Sequence, residues 1–181
     1  MQTIQENLTF DKVWAMFQET DKQFKETDRL FRQHDKKLKQ LEDLFTSQWG
    51  KLIESLVEGD LINLLQKRNI KVQYTSTRVK TFYDNRQYEF DIIAENGIEI
   101  VIVEVKTTLK VSYVKEFLAE LKKIKQIFPR YKNYKIYGAI AFLKGDENSE
   151  NFAAGKGLFT IRATGNSASI TNLPDFKPAE Y

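Results

Sequence analysis

The sequence predicts an α/β fold: a mixed central sheet sandwiched by helices, preceded by a long N-terminal coiled-coil helix. Three observations predict it. Phe10, Phe17, Phe24, Phe31, Leu38, Phe45 and Leu52 recur every seven residues, the period of a left-handed coiled coil. Two runs rich in Ile and Val flank Asn96-Gly97, a strong short-range signal for a hairpin. Between and around these strands lie segments whose apolar residues recur at helical spacing.

The elements follow in order. Residues 1 to 48 read as an oligomerisation helix. No glycine or proline interrupts residues 1 to 49, and Phe17-Gln18-Glu19-Thr20-Asp21 is nearly repeated as Phe24-Lys25-Glu26-Thr27-Asp28. Phe and Leu take the first core position, and Val13, Thr20, Thr27, His34 and Leu41 take the second. So long an apolar stripe needs a partner chain or a fold-back, and self-association is the expectation; dimer, trimer or tetramer and the chain direction stay open. His34 reads as a register-setting or partly exposed polar residue rather than as a metal ligand or pH switch.

Trp49-Gly50 marks the expected junction with a domain over residues 49 to 173. Leu52, Ile53, Leu56, Val57, Leu61, Leu64 and Leu65 predict a first domain helix ending near Arg68-Asn69. A strand should start at Ile70 and end at Tyr74, or run on through Tyr83. Asp84-Asn85-Arg86 is a turn signal. A helix is expected over residues 111 to 128, stopped by Pro129, then a strand over 134 to 143. Gly145 to Ser149 reads as a loop, followed by a short helix near 151 to 155, a strand over 158 to 162 and a last strand over 169 to 173. Residues 174 to 181 read as a tail. Helix, antiparallel strands, helix and strand is the order of a mixed α/β sandwich.

The hairpin carries the chemistry. With Asn96 and Gly97 as the two turn residues, Asp91 lies opposite Ile102 and Glu89 opposite Glu104. Alternation of side chains puts Asp91, Glu104 and Lys106 on one face with Ile98, Ile100 and Ile102. Phe90, Ile92, Val101, Val103 and Val105 take the other. Two carboxylates interrupting an apolar face repel each other and cost free energy unless a cation compensates. Oxygen ligands suit a hard cation such as Mg²⁺.

These residues, in this order, resemble the PD-(D/E)XK nuclease superfamily, the restriction-endonuclease-like fold. Phe90-Asp91 resembles its "PD" element, with Phe in place of Pro, and Glu104-Val105-Lys106 its "(D/E)xK" element. Glu58, in Leu56 to Leu65, sits where the family places an acid on the first helix; Glu54, one turn earlier, is the other candidate. The resemblance covers roughly residues 50 to 172. It implies metal-dependent hydrolysis of nucleic-acid phosphodiesters, DNA first, with RNA left open. It implies one or two Mg²⁺ or Mn²⁺ ions held by Asp91, Glu104, Glu58 and the Val105 carbonyl, and Lys106 as the residue that orients or helps deprotonate water. A non-catalytic nucleic-acid-binding or scaffold protein on the same fold is the competing expectation.

Composition narrows the field. The 181-residue chain has no cysteine and a single histidine, so disulfides, thiolate zinc sites, cysteine nucleophiles and multi-histidine metal centres drop out. No stretch is apolar enough to span a membrane, and residues 1 to 6 lack a signal-peptide pattern; a soluble cytoplasmic protein is expected. The formal charge of +3 is small, but cations cluster after Lys106. Lys110, Lys115, Lys122 and Lys123, with tyrosines interleaved, suit a phosphodiester backbone.

Overall fold

Helix α1 (Phe10–Gln66) passes through Gly50 without a break, where the sequence had suggested a junction. A single helical glycine costs about 1 kcal/mol, too little to stop a helix with strong formers on both sides. The computed structural model describes residues 10–146 and 148–181. The first nine residues of the expected coil, and Glu147 of the expected loop, lie outside the described residues.

The remaining elements are β1 (Tyr74–Tyr83), β2 (Arg86–Glu95), β3 (Glu99–Leu109), α2 (Val111–Leu121), α3 (Ile124–Ile127), a 3-10 turn (Pro129–Tyr131), β4 (Lys135–Gly145), α4 (Ser149–Gly155), β5 (Phe159–Thr164) and β6 (Ser167–Ile170). The six strands form one mixed sheet in chain order. Strands β1, β2 and β3 pair antiparallel, β3, β4 and β5 parallel, and β6 returns antiparallel. The fold is therefore α/β with a long N-terminal helix, and the chain divides into two compact units, Met1–Phe45 and Thr46–Tyr181. No helix among the described residues is long and apolar enough to cross a membrane.

In the first unit, residues 10–45 are helical and their apolar heptad positions face solvent: Phe17 is 66% exposed and Phe31 65%. The acids Asp21 and Asp28 are neutralised one turn on by Lys25 and Arg32, which supports the exposed helix locally.

In the second unit the sheet is covered on both faces. Ile53, Val57, Leu61 and Leu65 of α1 pack on Ile92, Val101, Val103 and Ala139. Val114, Phe117 and Leu121 of α2, with Ile124 and Ile127 of α3, pack on Ile100, Ile102 and Ile140. Two covered faces explain the continuous Ile/Val runs.

Three expectations are corrected here. The helix predicted over 111 to 128 breaks after Leu121, because the chain turns at Lys122-Lys123 to bury Ile124 and Ile127. The strand expected from Ile70 starts at Tyr74; Ile70 and Val72 are buried without joining the ladder. Residues 174–181 dock instead of trailing. The Phe176 and Phe159 rings meet at 5.4 Å, Ala179 N–H donates to Gly157 O at 2.9 Å and Tyr181 N–H to Ile136 O at 2.9 Å.

Helix α2 lies close on β4 because Gly138 has no side chain. A methyl group there would sit 2.4 Å from Leu121 Cδ1 and 2.6 Å from Leu158 Cδ2. Both leucines are fully buried and have little room to give. Gly138→Ala is expected to destabilise the fold by about 1–3 kcal/mol, read as a lower urea midpoint with an unchanged slope.

Candidate active site

The β2–β3 connection decides where the charged residues meet. The ladder pairs Ile92 with Val103, Ile93 with Ile102, Ala94 with Val101 and Glu95 with Ile100, so four residues, not two, make the turn. Asn96 causes this. Its Oδ1 accepts from Ile98 N–H at 3.0 Å and Glu99 N–H at 2.8 Å, the side-chain turn that Asn favours, while Gly97 takes a φ of +87°. Ile98 is then 67% exposed and not part of an apolar face. The pairing is shifted by two residues from the expected one. An even shift preserves faces, but it brings Asp91 level with Glu104 instead of Ile102.

Alternation breaks at Asp91. Phe90 and Ile93 enter the core under α2, whereas Ile92 and Ala94 enter the core under α1; the expected grouping of Phe90 with Ile92 fails. The partner strand is irregular at the same level. Thr77 pairs with Ile92 and Val79 with Phe90, but Arg78 between them leaves the ladder with a φ of +51°, an uncommon value for a residue with a side chain. Its guanidinium binds Glu54 Oε2 through Nε at 3.0 Å and Nη2 at 2.8 Å.

Asp91, Glu104 and Lys106 come together. Asp91 Oδ2 accepts from Val105 N–H at 2.7 Å, which ties the acid across to β3. Lys106 Nζ donates to Glu104 Oε1 and lies 5.6 Å from the centre of the Tyr113 ring on α2. Burial and the neighbouring Glu104 charge push the Asp91 carboxyl up to about 6, against the pull of the Val105 N–H and Lys106. Burial also raises Glu104, with Glu120 and Glu116 adding to it and Lys106 opposing. Burial alone would lower Lys106, but the Glu104 charge and hydrogen bond carry it above its ordinary value. The lysine is thus well compensated and the carboxylates are not. Asp91, Glu104 and Glu120 all bear on the one ammonium of Lys106, and Glu116 bears on Glu104 and Glu120.

Of the two α1 acids, Glu54 is the one whose charge reaches Asp91. Glu58 lies one turn on, and its Oε1 accepts from Thr75 Oγ1 at 3.1 Å. Residues not assigned from sequence join the patch: Tyr113, Glu116 and Glu120 on α2, and Arg78. The spacing of Tyr113, Glu116 and Glu120 along one flank of α2 was the available signal for three of them; nothing local marked Arg78. Of the cations expected beside the site, Lys115, Lys122 and Lys123 line a groove toward α4, while Lys110 directly precedes α2; the acids of α2 are the residues that bear on Glu104.

Among the described residues no group of three or more His, Cys, Asp or Glu side chains converges tightly enough to hold an ion. Two under-compensated carboxylates nevertheless fit the chemistry of Mg²⁺, which is commonly held by one or two carboxylates and keeps several waters. Asp91 and Glu104 are the residues that could hold such an ion, with Glu54 the helix acid whose charge reaches Asp91.

The raised Asp91 has a direct consequence for stability. The unfolded chain releases this proton near pH 4, whereas the folded chain keeps it to about pH 6. The folded state binds more protons in that window, so stability falls as pH rises through it and stays lower above it. Asp91→Asn keeps an acceptor for Val105 N–H and carries no charge. Without divalent ions it is expected to remove that part of the fall and to raise stability at pH 7 by about 1–3 kcal/mol. Urea unfolding of both proteins at pH 4 and pH 7 checks this, and equal pH dependence would contradict it.

No curated protein matches the chain. Residues 55–170, which include α1 from Ser55 and every strand, match the model of the family described as Domain of unknown function (DUF8196), and with well over half of its length matched the chain belongs to that family.

Proposed function

We propose that the second unit is a metal-dependent nuclease of the PD-(D/E)XK type, with a restriction-endonuclease-like arrangement of helix, three antiparallel strands, helix and parallel strand. The observation that carries this reading is the meeting of Asp91, Glu104 and Lys106 midway along the neighbouring strands β2 and β3, with more negative charge than one lysine balances. A purely structural cluster has no evident use for that excess.

Asp91 and Glu104 hold the divalent ion, and the Val105 carbonyl offers a further oxygen. When bound, the ion polarises a phosphoryl oxygen and lowers the pKa of the attacking water. Val105 N–H fixes the Asp91 carboxylate, so the acid is set before substrate arrives. Lys106 is held by Glu104 and by the Tyr113 ring; it orients the water and offsets charge developing on the phosphoryl group. Glu104 and Asp91 keep Lys106 charged, and Glu120 adds a further negative charge near it. The substrate is a nucleic-acid phosphodiester, DNA in the first instance, and the protein works in the cytoplasm.

The test is cleavage of supercoiled, linear and single-stranded DNA with Mg²⁺ or Mn²⁺. Asp91→Ala and Glu104→Ala are expected to abolish cutting, and Lys106→Ala to slow it by about 10²–10⁴-fold while circular dichroism stays native. Cutting that persists unchanged in all three variants would point to a contaminant and sink the reading.

We further propose that the first unit joins copies of the chain along its apolar heptads, placing nuclease sites in pairs. Burying one large apolar side chain is worth roughly 1.5–3 kcal/mol, and the stripe from Phe10 to Leu38 repeats that gain several times against the entropy of association. Light scattering is expected to give an oligomer for the full chain and a monomer for a chain beginning near Trp49. A monomeric full chain contradicts it, and an unchanged oligomer in the shorter chain moves the interface to the second unit.

A further inference from the structure

Helix α2 has two polar flanks, and they differ in kind. Val114, Phe117 and Leu121 face the core. With 3.6 residues per turn, Tyr113, Glu116 and Glu120 fall on one side of that stripe, and Lys115, Leu118 and Lys122 on the other. The first flank meets Lys106 and Glu104. The second forms one wall of a groove of about 600 Å³ whose other wall is Phe152 and Lys156 of the α4 region, with Lys123 at its end. None of the residues lining it is acidic.

We infer that this groove binds single-stranded nucleic acid, with Lys115, Lys122, Lys123 and Lys156 on the backbone and Phe152 under a base. The inference rests on the nucleic-acid substrate class of the proposed nuclease and deepens it by naming the strand form. Four ammonium groups without a carboxylate repel one another, and a polyanion that neutralises them releases counterions. Lys115 and Lys122 are two helical turns apart, about 10.5 Å along the axis. A free phosphate reaches one of them at a time; a strand spans both. Phe152 is half-buried, and Lys156 Nζ sits over its ring, 5.5 Å from the centre, so a base stacks there once the ammonium moves to a backbone phosphate. Aromatic faces beside basic tracts are the elements that hold unpaired strands, because every base can stack, whereas a duplex keeps its bases inside. The groove lies on the flank of α2 turned from the carboxylates, so it grips the strand away from the point of reaction.

The test is fluorescence anisotropy of the full chain with labelled oligothymidylate in EDTA, across a range of KCl. Lys122→Glu with Lys156→Glu is expected to weaken binding by about ten-fold or more. It should reduce the salt slope by about 1.4, two contacts at about 0.7 each. The same charge change at Lys67 and Lys71, exposed and outside the groove, should alter affinity by less than about two-fold. Phe152→Leu keeps apolar packing and removes the ring; a loss of about five-fold or more is expected, with the thermal midpoint confirming the fold. Equal losses from the Lys67/Lys71 pair would overturn the groove in favour of diffuse attraction. Tighter binding of a matching duplex, with Phe152→Leu silent, would overturn the single strand. Strand binding through the groove in a protein that cuts nothing leaves this inference standing and removes the nuclease; cutting with affinity indifferent to these substitutions does the reverse.

Discussion

Strand β3 has no polar side of its own, and the rest of the second unit is arranged around that fact. From Ile100 to Val103 every side chain is fully buried, alternately under α1 and under α2 and α3. A strand buried on both faces accepts charge only where its cover ends. Glu104 and Lys106 follow midway along the strand, where the cover thins and leaves them half-buried, and Asp91 is brought level with Glu104 by the four-residue turn at Asn96. The same cover sets α2, which is drawn onto β4 by Gly138 and carries Glu116, Glu120 and Tyr113 to the patch.

The patch is costly as built. Asp91 and Glu104 are held partly out of water, and one lysine serves several carboxylates. In a protein interior such an imbalance is ordinarily removed by protonation or by a cation. Retaining it makes physical sense where binding a cation is the use of the site, since the destabilisation of the free protein becomes affinity for the ion. The irregular Arg78 belongs to the same economy of charge: it leaves the ladder opposite Asp91 and neutralises Glu54, the helix acid that faces it.

Helix α2 separates two electrostatic tasks by rotation alone. Its core stripe is three residues wide, and the positions flanking that stripe differ in sign. The acids of one flank bear on Glu104; the lysines toward α4 leave a groove without a carboxylate. Pooling the charges of the segment by sequence position hides this. The cations after Lys106 read as a basic tract beside the site, yet the few acids among them are the ones that face it.

The sequence by itself determined the element types, the burial of the central strands and the three charged residues, Asp91, Glu104 and Lys106, that the fold brings together. Those properties are local. Ile/Val runs on both sides of Asn96-Gly97 announce a doubly covered hairpin, heptad spacing announces the amphipathic first unit, and an acid or lysine inside such a strand is conspicuous whatever the register. Only the tertiary structure decided the pairing that brings Asp91 level with Glu104, because Asn96 builds its turn from a side-chain hydrogen bond that spacing does not reveal. It decided between Glu54 and Glu58 as the acid bearing on Asp91, since residues one turn apart share a helix face and differ only in what β1 sets against them. It also decided that α2 ends at Leu121 and that residues 174–181 dock on β4 and β5, because both depend on apolar surface contributed from distant parts of the chain.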